Sequence, residues 1–297
     1  MSIHLKLIIA TFFWGLTPTL GKILATLEAP FIITFGRFLF ACLWLFPILI
    51  LQKERVHIDR ALLKTFFVLG FTGVFLHNVL MYKGLEYISA SIASLIFAFI
   101  VVQVAVIDAI IYRKLPSLGS MVGIIMSVFG IIIVVTGGDL SDLEIGEFGC
   151  GIFLVFGSAL SWAGYTVISR RALQKHSPLI VTSYASLAGL ALTIPFPMTN
   201  FKTTAFIFSD ANSLLFVIFL GVVSSAITFI WHHQAIKKLG VLSTSIYLNL
   251  MPIFGVLSAA VILGETIDIY VVIGGVLVIC GIVLVNLKGL RSIDPTE

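Results

Sequence analysis

The stretch that decides the fold is Val241–Thr266, VLSTSIYLNLMPIFGVLSAAVILGET. It stays apolar for longer than the roughly 20 residues that a helix needs to cross a bilayer core of about 30 Å. An earlier stretch, Ala90–Leu115, ASIASLIFAFIVVQVAVIDAIIYRKL, aligns with it at a shift of 151 positions, so that Ser94 falls on Ser245. The chain therefore contains a diverged internal repeat, and each copy contributes a long apolar helix.

The composition indicates a membrane protein. Of its residues, 59% are hydrophobic and 11% are charged, and the mean hydropathy is +1.15, whereas a soluble domain has about 25% charged residues. The net charge is +4, but the basic residues are scattered in short loops, which argues against a nucleic-acid partner. Cys42, Cys150 and Cys280 are far apart and match neither a disulfide framework nor a metal spacing. We predict an all-α, multi-pass protein embedded in the lipid bilayer.

Hydropathy predicts ten transmembrane helices. They cover residues 5–26, 30–51, 62–83, 88–111, 118–137, 147–169, 179–199, 213–236, 241–263 and 269–287. Five precede the acidic loop Asp139–Glu147 and five follow it. Because five is odd, the second unit begins on the opposite side of the membrane, as in the inverted repeats of transporters. Trp14 falls on Trp162 at a nearby shift of 148. We predict two inverted five-helix repeats, residues 1–143 and 144–297.

The charges of the loops predict the orientation, since short cytoplasmic loops collect Lys and Arg. If the N-terminus lies inside, the inner segments hold 14 of the 18 basic residues. The fourteen are Lys6, Lys53, Arg55, Arg60, Lys64, Arg113, Lys114, Arg170, Arg171, Lys175, Lys237, Lys238, Lys288 and Arg291. We predict that both termini are cytoplasmic and that the protein lies in the plasma membrane, the inner membrane of a bacterium.

Helix-disturbing residues occur in three of the predicted spans. The first carries Trp14-Gly15-Leu16-Thr17-Pro18, the sixth Trp162-Ala163-Gly164, and the ninth Pro252 near its centre. Proline removes a backbone hydrogen bond, and carbonyls freed at membrane depth must face protein or a water-filled cavity. We predict interruptions in matching spans of the two units, with the alternative that Pro and Gly are simply common in membrane helices.

The fifth and tenth spans have a different character. They carry glycines among Ile and Val and few polar groups. The glycines are Gly119, Gly123 and Gly130 in the fifth span and Gly274, Gly275 and Gly281 in the tenth. Small residues let helices approach closely, so we predict that these two spans pack and line no site.

Several short motifs follow one another along the chain. They are Trp14 and Trp162, each with a basic residue eight positions later (Lys22, Arg170), then Arg37-Phe38-Leu39, Ser243-Thr244-Ser245, Met251-Pro252, Gly264-Glu265-Thr266, Gly274 and Gly281. In this order the chain resembles the EamA-domain transporters of the drug/metabolite transporter superfamily over nearly its whole length. The resemblance implies a ten-helix inverted-repeat carrier of small metabolites, often an exporter, with no particular substrate.

The first unit departs from that family's pattern at two positions. Val101 stands where Pro is usual, and Lys114 stands where Glu is usual. Pro252 and Glu265 are therefore expected to be structural in one unit only.

Polar and aromatic side chains at helical spacing form stripes that should face inward, because a polar group facing lipid costs free energy. We predict that a substrate binds where the stripes converge, between spans one to four and six to nine. The candidate substrate-binding residues are Trp14, Thr17, Arg37, His77, Tyr82, Trp162, Tyr165, Thr228, Tyr247 and Asn249.

Two interpretations remain open for most of these residues. Trp14 and Trp162 either pack the core or form an aromatic wall against the substrate, and single Ser or Thr hydroxyls often bond their own helix. Arg37 is either the partner of Glu28 or Glu86 or an anchor for an anionic group.

Three histidines bear on ion binding. His77 either bonds a neighbouring helix or contacts the substrate and makes transport pH-dependent, with a proton as the candidate coupling ion. The adjacent His232 and His233 point to different faces of a helix, so no metal site is predicted.

The sequence contains no nucleophile elbow, metalloprotease motif or phosphate loop. We therefore predict a secondary transporter or exporter of small metabolites, such as amino acids or similar amphiphilic compounds, without enzymatic activity, cofactor or metal. The oligomeric state stays open. The alternative is a non-transporting membrane receptor or scaffold with the same fold.

Overall fold

The structure is a computed structural model. It describes residues 1–54, 56, 59–112, 118–136 and 147–289, and most of these residues lie in helices. These residues form no β-strand, which confirms the predicted all-α class. The helices are α1 Ile3–Ala25, α2 Pro30–Leu51, α3 Arg60–Leu85, α4 Ala90–Ile111, α5 Leu118–Thr136, α6 Glu147–Lys175, α7 Pro178–Thr199, α8 Phe201–Ser209, α9 Ala211–Leu239, α10 Val241–Leu263 and α11 Ile269–Gly289.

Eight of the described helices are long and apolar enough to cross a membrane, namely α1 to α4, α6, α7, α9 and α10. Helices α5 and α11 coincide with the two remaining predicted spans, but their apolar stretches, Met121–Val134 and Ile269–Gly281, are shorter. The predicted boundary between the two units, after residue 143, lies outside the described residues.

Local sequence signals decide where the helices begin. The hydroxyl of Ser177 accepts a hydrogen bond from the Ile180 amide at 3.2 Å before α7. Asp210 caps α9 in the same way, with the Ser213 amide at 2.8 Å. Pro30 starts α2, where the missing N–H of proline costs nothing because the first-turn amides have no intrahelical partner.

Helix α8 lies between the predicted seventh and eighth spans, where the sequence analysis assigned no element. The Asn200 side chain accepts from the Thr203 amide at 3.3 Å and starts this nine-residue helix. A hydropathy window of membrane length averages over so short a helix, which is why the sequence pattern missed it.

The predicted interruptions of the first and sixth spans are wrong. Helix α1 continues through Pro18, and α6 continues through Trp162–Gly164. Neighbouring helices can satisfy the backbone groups that a membrane proline frees. The irregular turns lie instead in α3 and α9, as π-helical segments at Gly70–Leu76 and Val222–Ile227.

The ninth span, α10, is interrupted as predicted. A 3₁₀ turn at Ile246–Leu250 precedes Pro252, which cannot donate to the carbonyl four residues earlier. Its repeat counterpart α4 is also interrupted, because its α-helical segments Ala90–Ala98 and Ile100–Tyr112 are separated at Phe99.

Burial follows the pattern of a protein surrounded by lipid. The small polar side chains of Thr11, Ser158 and Ser224 are completely buried, whereas Phe153 and Val261 are 77% and 84% exposed. The predicted inward orientation of the polar stripes is confirmed for these positions.

Helices α5 and α11 pack against each other through glycines. A Cβ atom on Gly130 would lie 2.6 Å from the carbonyl oxygen of Gly274, and one on Gly281 would meet the carbonyl oxygen of Gly123. Only glycine permits so close an approach of two backbones. This confirms the predicted packing role of both helices.

Candidate functional site

A small cavity of about 30 Å³ lies between seven helices of the bundle. Its lining residues are Trp14 and Thr17 of α1, Arg37 of α2, His77 and Met81 of α3, Phe97 and Ile100 of α4, Trp162 of α6, Phe229 of α9, and Leu248 and Met251 of α10. This volume holds about two water molecules. Helix α7 contributes none of these residues, although its span was predicted to line the cavity.

Trp14 and Trp162 form the aromatic centre of the cavity. Their ring centroids are 5.5 Å apart in an edge-to-face arrangement, and Phe229 lies 4.8 Å from Trp162. The indole N–H of Trp14 donates to the Ser224 carbonyl at 3.0 Å. Both tryptophans are almost fully buried, at 5% and 4% exposure, and both line the cavity. They therefore pack the core and form the cavity wall at the same time.

Arg37 reaches the cavity through a network of neutral acceptors. Its guanidinium donates to Ser225 Oγ at 2.7 Å, Asn78 Oδ1 at 2.9 Å, Tyr82 Oη at 3.2 Å and the Ser224 carbonyl at 3.3 Å. The expected pairing of this residue with a carboxylate is not found within the described ranges. Tyr82, a predicted site residue, is not part of the cavity lining; it accepts a hydrogen bond from Arg37, which lines the cavity.

His77 lies on the cavity wall beside Trp162, at a ring distance of 5.0 Å. Its Nδ1 is 2.9 Å from Ser158 Oγ and 3.0 Å from the Ser158 carbonyl oxygen. The same hydroxyl donates to the His77 carbonyl at 2.7 Å. The bond to a neighbouring helix is therefore present, and the imidazole also lines the cavity.

Tyr165 and Thr228 lie next to the cavity rather than on its wall. The rings of Tyr165 and Trp162 are tilted against each other, and their centroids are 5.0 Å apart. Its hydroxyl and that of Thr228 are buried and have no hydrogen-bond partner among the described residues.

Tyr247 and Asn249 are not brought to the cavity wall. Tyr247 bonds His4 at 2.5 Å, near the N-terminal end of α1. Asn249 lies in the 3₁₀ turn of α10, and its side-chain oxygen is buried without a partner in the described part of the chain. The 3₁₀ turn interrupts the uniform α-helical spacing on which the prediction for Asn249 relied.

Sequence reasoning missed six lining residues, all of them apolar. These are Met81, Phe97, Ile100, Phe229, Leu248 and Met251. Four of them form two repeat-related pairs, because Phe97 falls on Leu248 and Ile100 on Met251 at the shift of 151. This repeat relation is the sequence signal that the two pairs share, but other positions of the same helices share it too.

Polar contacts tie the helices together beyond the cavity at both ends. At the C-terminal end of α1, Lys22 Nζ donates to the carbonyls of Leu85 and Ile88 at 2.6 and 2.9 Å. At its N-terminal end, Lys6 Nζ donates to Gln234 Oε1 at 2.6 Å. These contacts hold α1 against the neighbouring helices at both ends of the bundle.

A second pocket, of about 380 Å³, lies between α2, α3, α6 and α7 at the end of the bundle where α1 ends. Its wall combines Phe31, Phe196 and Leu154 with the charged groups of Glu28 and Lys83. It shares no lining residue with the central cavity.

Two pairs of oppositely charged groups lie outside the cavity. Lys83 pairs with Glu86 at 2.5 Å, and Asp108 lies 4.0 Å from Arg170. In the described ranges no three His, Cys, Asp or Glu side chains come together in a way that would hold a metal ion.

The sequence was compared with known families and structures. The model of the EamA-like transporter family matches residues 1–136 and 149–287. The chain belongs to this family. A solved crystal structure superimposes on this EamA-like transporter with a TM-score of 0.69 at 18% identity, over 98% of each chain, so the two share a fold.

Curated relatives of this EamA-like transporter carry transporter names. The uncharacterized transporter YyaM of Bacillus subtilis is 26% identical over 95% of this chain and 92% of the relative. An uncharacterized transporter of Archaeoglobus fulgidus is 28% identical over 93% of this chain and 95% of the relative. A probable terminal-alkyne amino-acid exporter of Streptantibioticus cattleyicolor is 27% identical over 74% of this chain and 72% of the relative. The chain is a multi-pass membrane transporter, and these names describe transporters rather than enzymes.

Proposed function

We propose that the protein is a secondary carrier that moves small metabolites, such as amino acids or similar amphiphilic compounds, across the plasma membrane, with export as the expected direction. The observation that carries this proposal is the central cavity. It is lined from both halves of the chain, and it is too small for a metabolite while both ends of the bundle are tied. Substrate entry therefore requires opening at one end, which is alternating access.

The packing of α5 on α11 supports two inverted units. Gly130 approaches Gly274, and Gly123 approaches Gly281. Gly274 and Gly281 are the repeat equivalents of Gly123 and Gly130 at the shift of 151. Reciprocal contacts between equivalent positions are the mark of a two-fold relation.

A second pair of interfaces supports the same relation. A Cβ on Gly70 of α3 would lie 2.6 Å from the Gly189 amide of α7, and one on Gly221 of α9 would lie 3.2 Å from the Ala41 amide of α2. Gly221 follows Gly70 by 151 positions, and Gly189 follows Ala41 by 148. These are the two shifts of the internal repeat.

We accordingly propose ten spans in two units, residues 1–143 and 144–297, with both termini in the cytoplasm. The two segments matched by the family model, 1–136 and 149–287, support this division. Where the cell has an inner membrane, the protein belongs there.

Buried polar atoms support an opening toward the cytoplasm. Both ring nitrogens of His232, Nε2 of His233 and the hydroxyls of Tyr165 and Thr228 have no partner among the described residues. A buried polar group without a hydrogen bond costs about 1–3 kcal/mol. His232 lies 5.3 Å from the Trp14 ring, one helical turn beyond Phe229 toward the predicted inner end of α9. Water or substrate entering from that end would satisfy these atoms.

A proton is the proposed coupling ion, with His77 as its site on the cavity wall. The test compares wild type with His77→Gln between about pH 5.5 and about pH 8, a range that brackets the ordinary histidine pKa. A changed pH profile is expected. Identical rates and profiles in a folded variant would remove His77 from coupling.

The proposal as a whole is tested in proteoliposomes. Uptake of labelled amino acids and other small metabolites is measured for a cysteine-free protein and for the double variant Lys6→Cys/Gln234→Cys. A bifunctional maleimide that joins these positions should stop uptake, because it holds one end of the bundle shut. Each single-cysteine variant treated with the same reagent is the control.

Two outcomes would contradict this function. Absence of uptake for every metabolite would favour the alternative of a non-transporting receptor or scaffold. Undiminished uptake by the cross-linked double variant would exclude alternating access at this end.

A further inference from the structure

Arg37 places a positive charge inside the membrane-spanning part of the protein. It lies seven residues after the start of α2 at Pro30, about 10 Å along the helix axis. Its exposed fraction is 2%, and it lines the central cavity. A buried charge of this kind is costly unless it is paired or has a function.

The surroundings orient this charge without neutralising it. All four partners of the guanidinium, on Ser224, Ser225, Asn78 and Tyr82, are uncharged. The two ion pairs found among the described residues involve other basic side chains. The charge of Arg37 therefore lacks a counter-ion in this part of the chain.

The hydrogen-bond pattern leaves donor capacity on a guanidinium that lines the cavity. A guanidinium has five N–H groups, and the four hydrogen bonds occupy Nε once, Nη1 twice and Nη2 once. One N–H on Nη2 has no partner among the described residues. Because the other four bonds hold the plane of the group, a planar oxyanion would meet a pre-oriented donor.

The rest of the cavity wall is mostly apolar and favours a ligand with an apolar side chain. Trp14, Trp162, Phe97, Phe229 and Met251 surround the space beside Arg37, and the lining contains no carboxylate. A cationic group would therefore find no ionic partner there, whereas an anionic group would find Arg37.

We propose that Arg37 binds the carboxylate of the transported compound, and that the substrates are small carboxylates with an apolar side chain. This inference rests on the proposed carrier function and names its substrate class. The ligand neutralises the buried charge, and its apolar body lies against the tryptophan pair.

The test uses two matched series of probes with the purified protein in detergent. One consists of L-phenylalanine, 3-phenylpropionate and 2-phenylethylamine, and the other of L-leucine, 4-methylpentanoate and isoamylamine. Binding is read from tryptophan fluorescence, since Trp14 and Trp162 line the cavity, and from the shift in thermal unfolding. Members with a carboxylate should bind, and the two amines should not.

Variants then assign the preference to Arg37. Arg37→Gln should weaken carboxylate binding by about tenfold or more, the usual effect of losing a hydrogen bond to a charged group. Arg37→Lys should retain part of the affinity, since it keeps the charge but loses the planar fork. Ser225→Ala, which removes one neutral partner at 2.7 Å and keeps the charge, should preserve the preference for carboxylates.

Three results would overturn the assignment. They are amines binding as well as carboxylates to wild type, no binding of any carboxylate at millimolar concentration, and unchanged carboxylate binding by folded Arg37→Gln. If Arg37→Gln fails to fold, the binding of the probe series to wild type and to Arg37→Lys still tests the assignment. If proteoliposomes took up neutral or cationic metabolites but no carboxylate, the carrier function would stand and the carboxylate site would be rejected.

Discussion

At the scale of single residues, the two cavity tryptophans combine two roles that sequence reasoning treated as alternatives. Trp14 touches Trp162, Phe229 and His232 in the core, and its outer face borders the cavity. The rings are therefore supported by the fold and available to a ligand. Loss of ring area should affect transport and stability to different extents.

We expect Trp162→Phe to fold and to lose transport, because a smaller ring keeps most of the packing but withdraws from the cavity. Trp162→Ala should additionally lose about 3–5 kcal/mol of stability, the usual cost of truncating a core aromatic. Thermal unfolding and proteoliposome uptake separate the two effects.

Trp44→Ala is the matched control, since Trp44 packs on the core outside the cavity lining. It should cost stability and leave the uptake per folded molecule close to wild type. Equal uptake per folded molecule for Trp162→Phe and wild type would favour a purely structural role of Trp162.

At the scale of helices, the ends are tied by residues far apart in sequence. Glu265, which follows α10, accepts hydrogen bonds from the amides of Ala90 and Ser91 at 2.9 and 3.0 Å and from the Ser91 hydroxyl at 2.6 Å. A carboxylate at a helix N-terminus satisfies free amides and complements the helix dipole. Glu265 therefore caps α4, as the expected structural role requires.

Glu265→Ala should lower stability by about 1–3 kcal/mol, because it leaves two amides at the start of α4 without their acceptor. Glu265→Gln keeps one acceptor oxygen and should restore part of the loss. The measurement is the midpoint of thermal unfolding in detergent. Asp268→Ala, an exposed acidic position three residues later, is the control, and a cap that matters must cost more than this change.

The glycine interface between α5 and α11 allows a second comparison at this scale. Gly281→Ala should destabilise the protein, because its Cβ would lie 2.5 and 2.8 Å from Ser127 Oγ and N. Gly164→Ala meets no atom within 4 Å and should be neutral or more stable by about 0.5–1 kcal/mol, since alanine favours helix. Equal unfolding midpoints for the two variants would mean that the contact is not tight.

At the scale of the whole molecule, contacts between loops agree with the predicted orientation. The Ser177 hydroxyl donates to Glu54, and Lys237 Nζ donates to the His176 carbonyl at 3.3 Å. The connections before α3, between α6 and α7, and after α9 thus lie at one end of the bundle. These are connections that the positive-inside pattern assigns to the cytoplasm.

Cysteines introduced into a cysteine-free protein test the orientation. Positions in Asp139–Glu147, most of which lies outside the described residues, should react with impermeant reagents from outside intact cells. Positions in Gln174–Ser177 should react only after the membrane is opened. Reaction of both segments from the same side would end the inverted-repeat proposal.

The sequence by itself determined the helical class, the position of nearly every long helix and the presence of a repeat. Hydropathy is read within one segment, so it survives without tertiary information, whereas the interruption expected near Pro18 is absent from α1. The glycine pattern of α5 and α11 also identified both as packing helices, because small residues allow a close approach, whereas their contact with each other came from the structure.

Only the tertiary structure decided which side chains meet at the cavity. Phe97, Phe229 and Met251 look like ordinary apolar residues in sequence, and they become cavity lining because three distant helices converge there. Tyr247 is not part of the cavity lining and instead contacts His4, which lies 243 positions earlier in the chain. Arg37 faces neutral acceptors rather than a carboxylate, because its partners come from helices α3 and α9 and are chosen by packing rather than by sequence proximity.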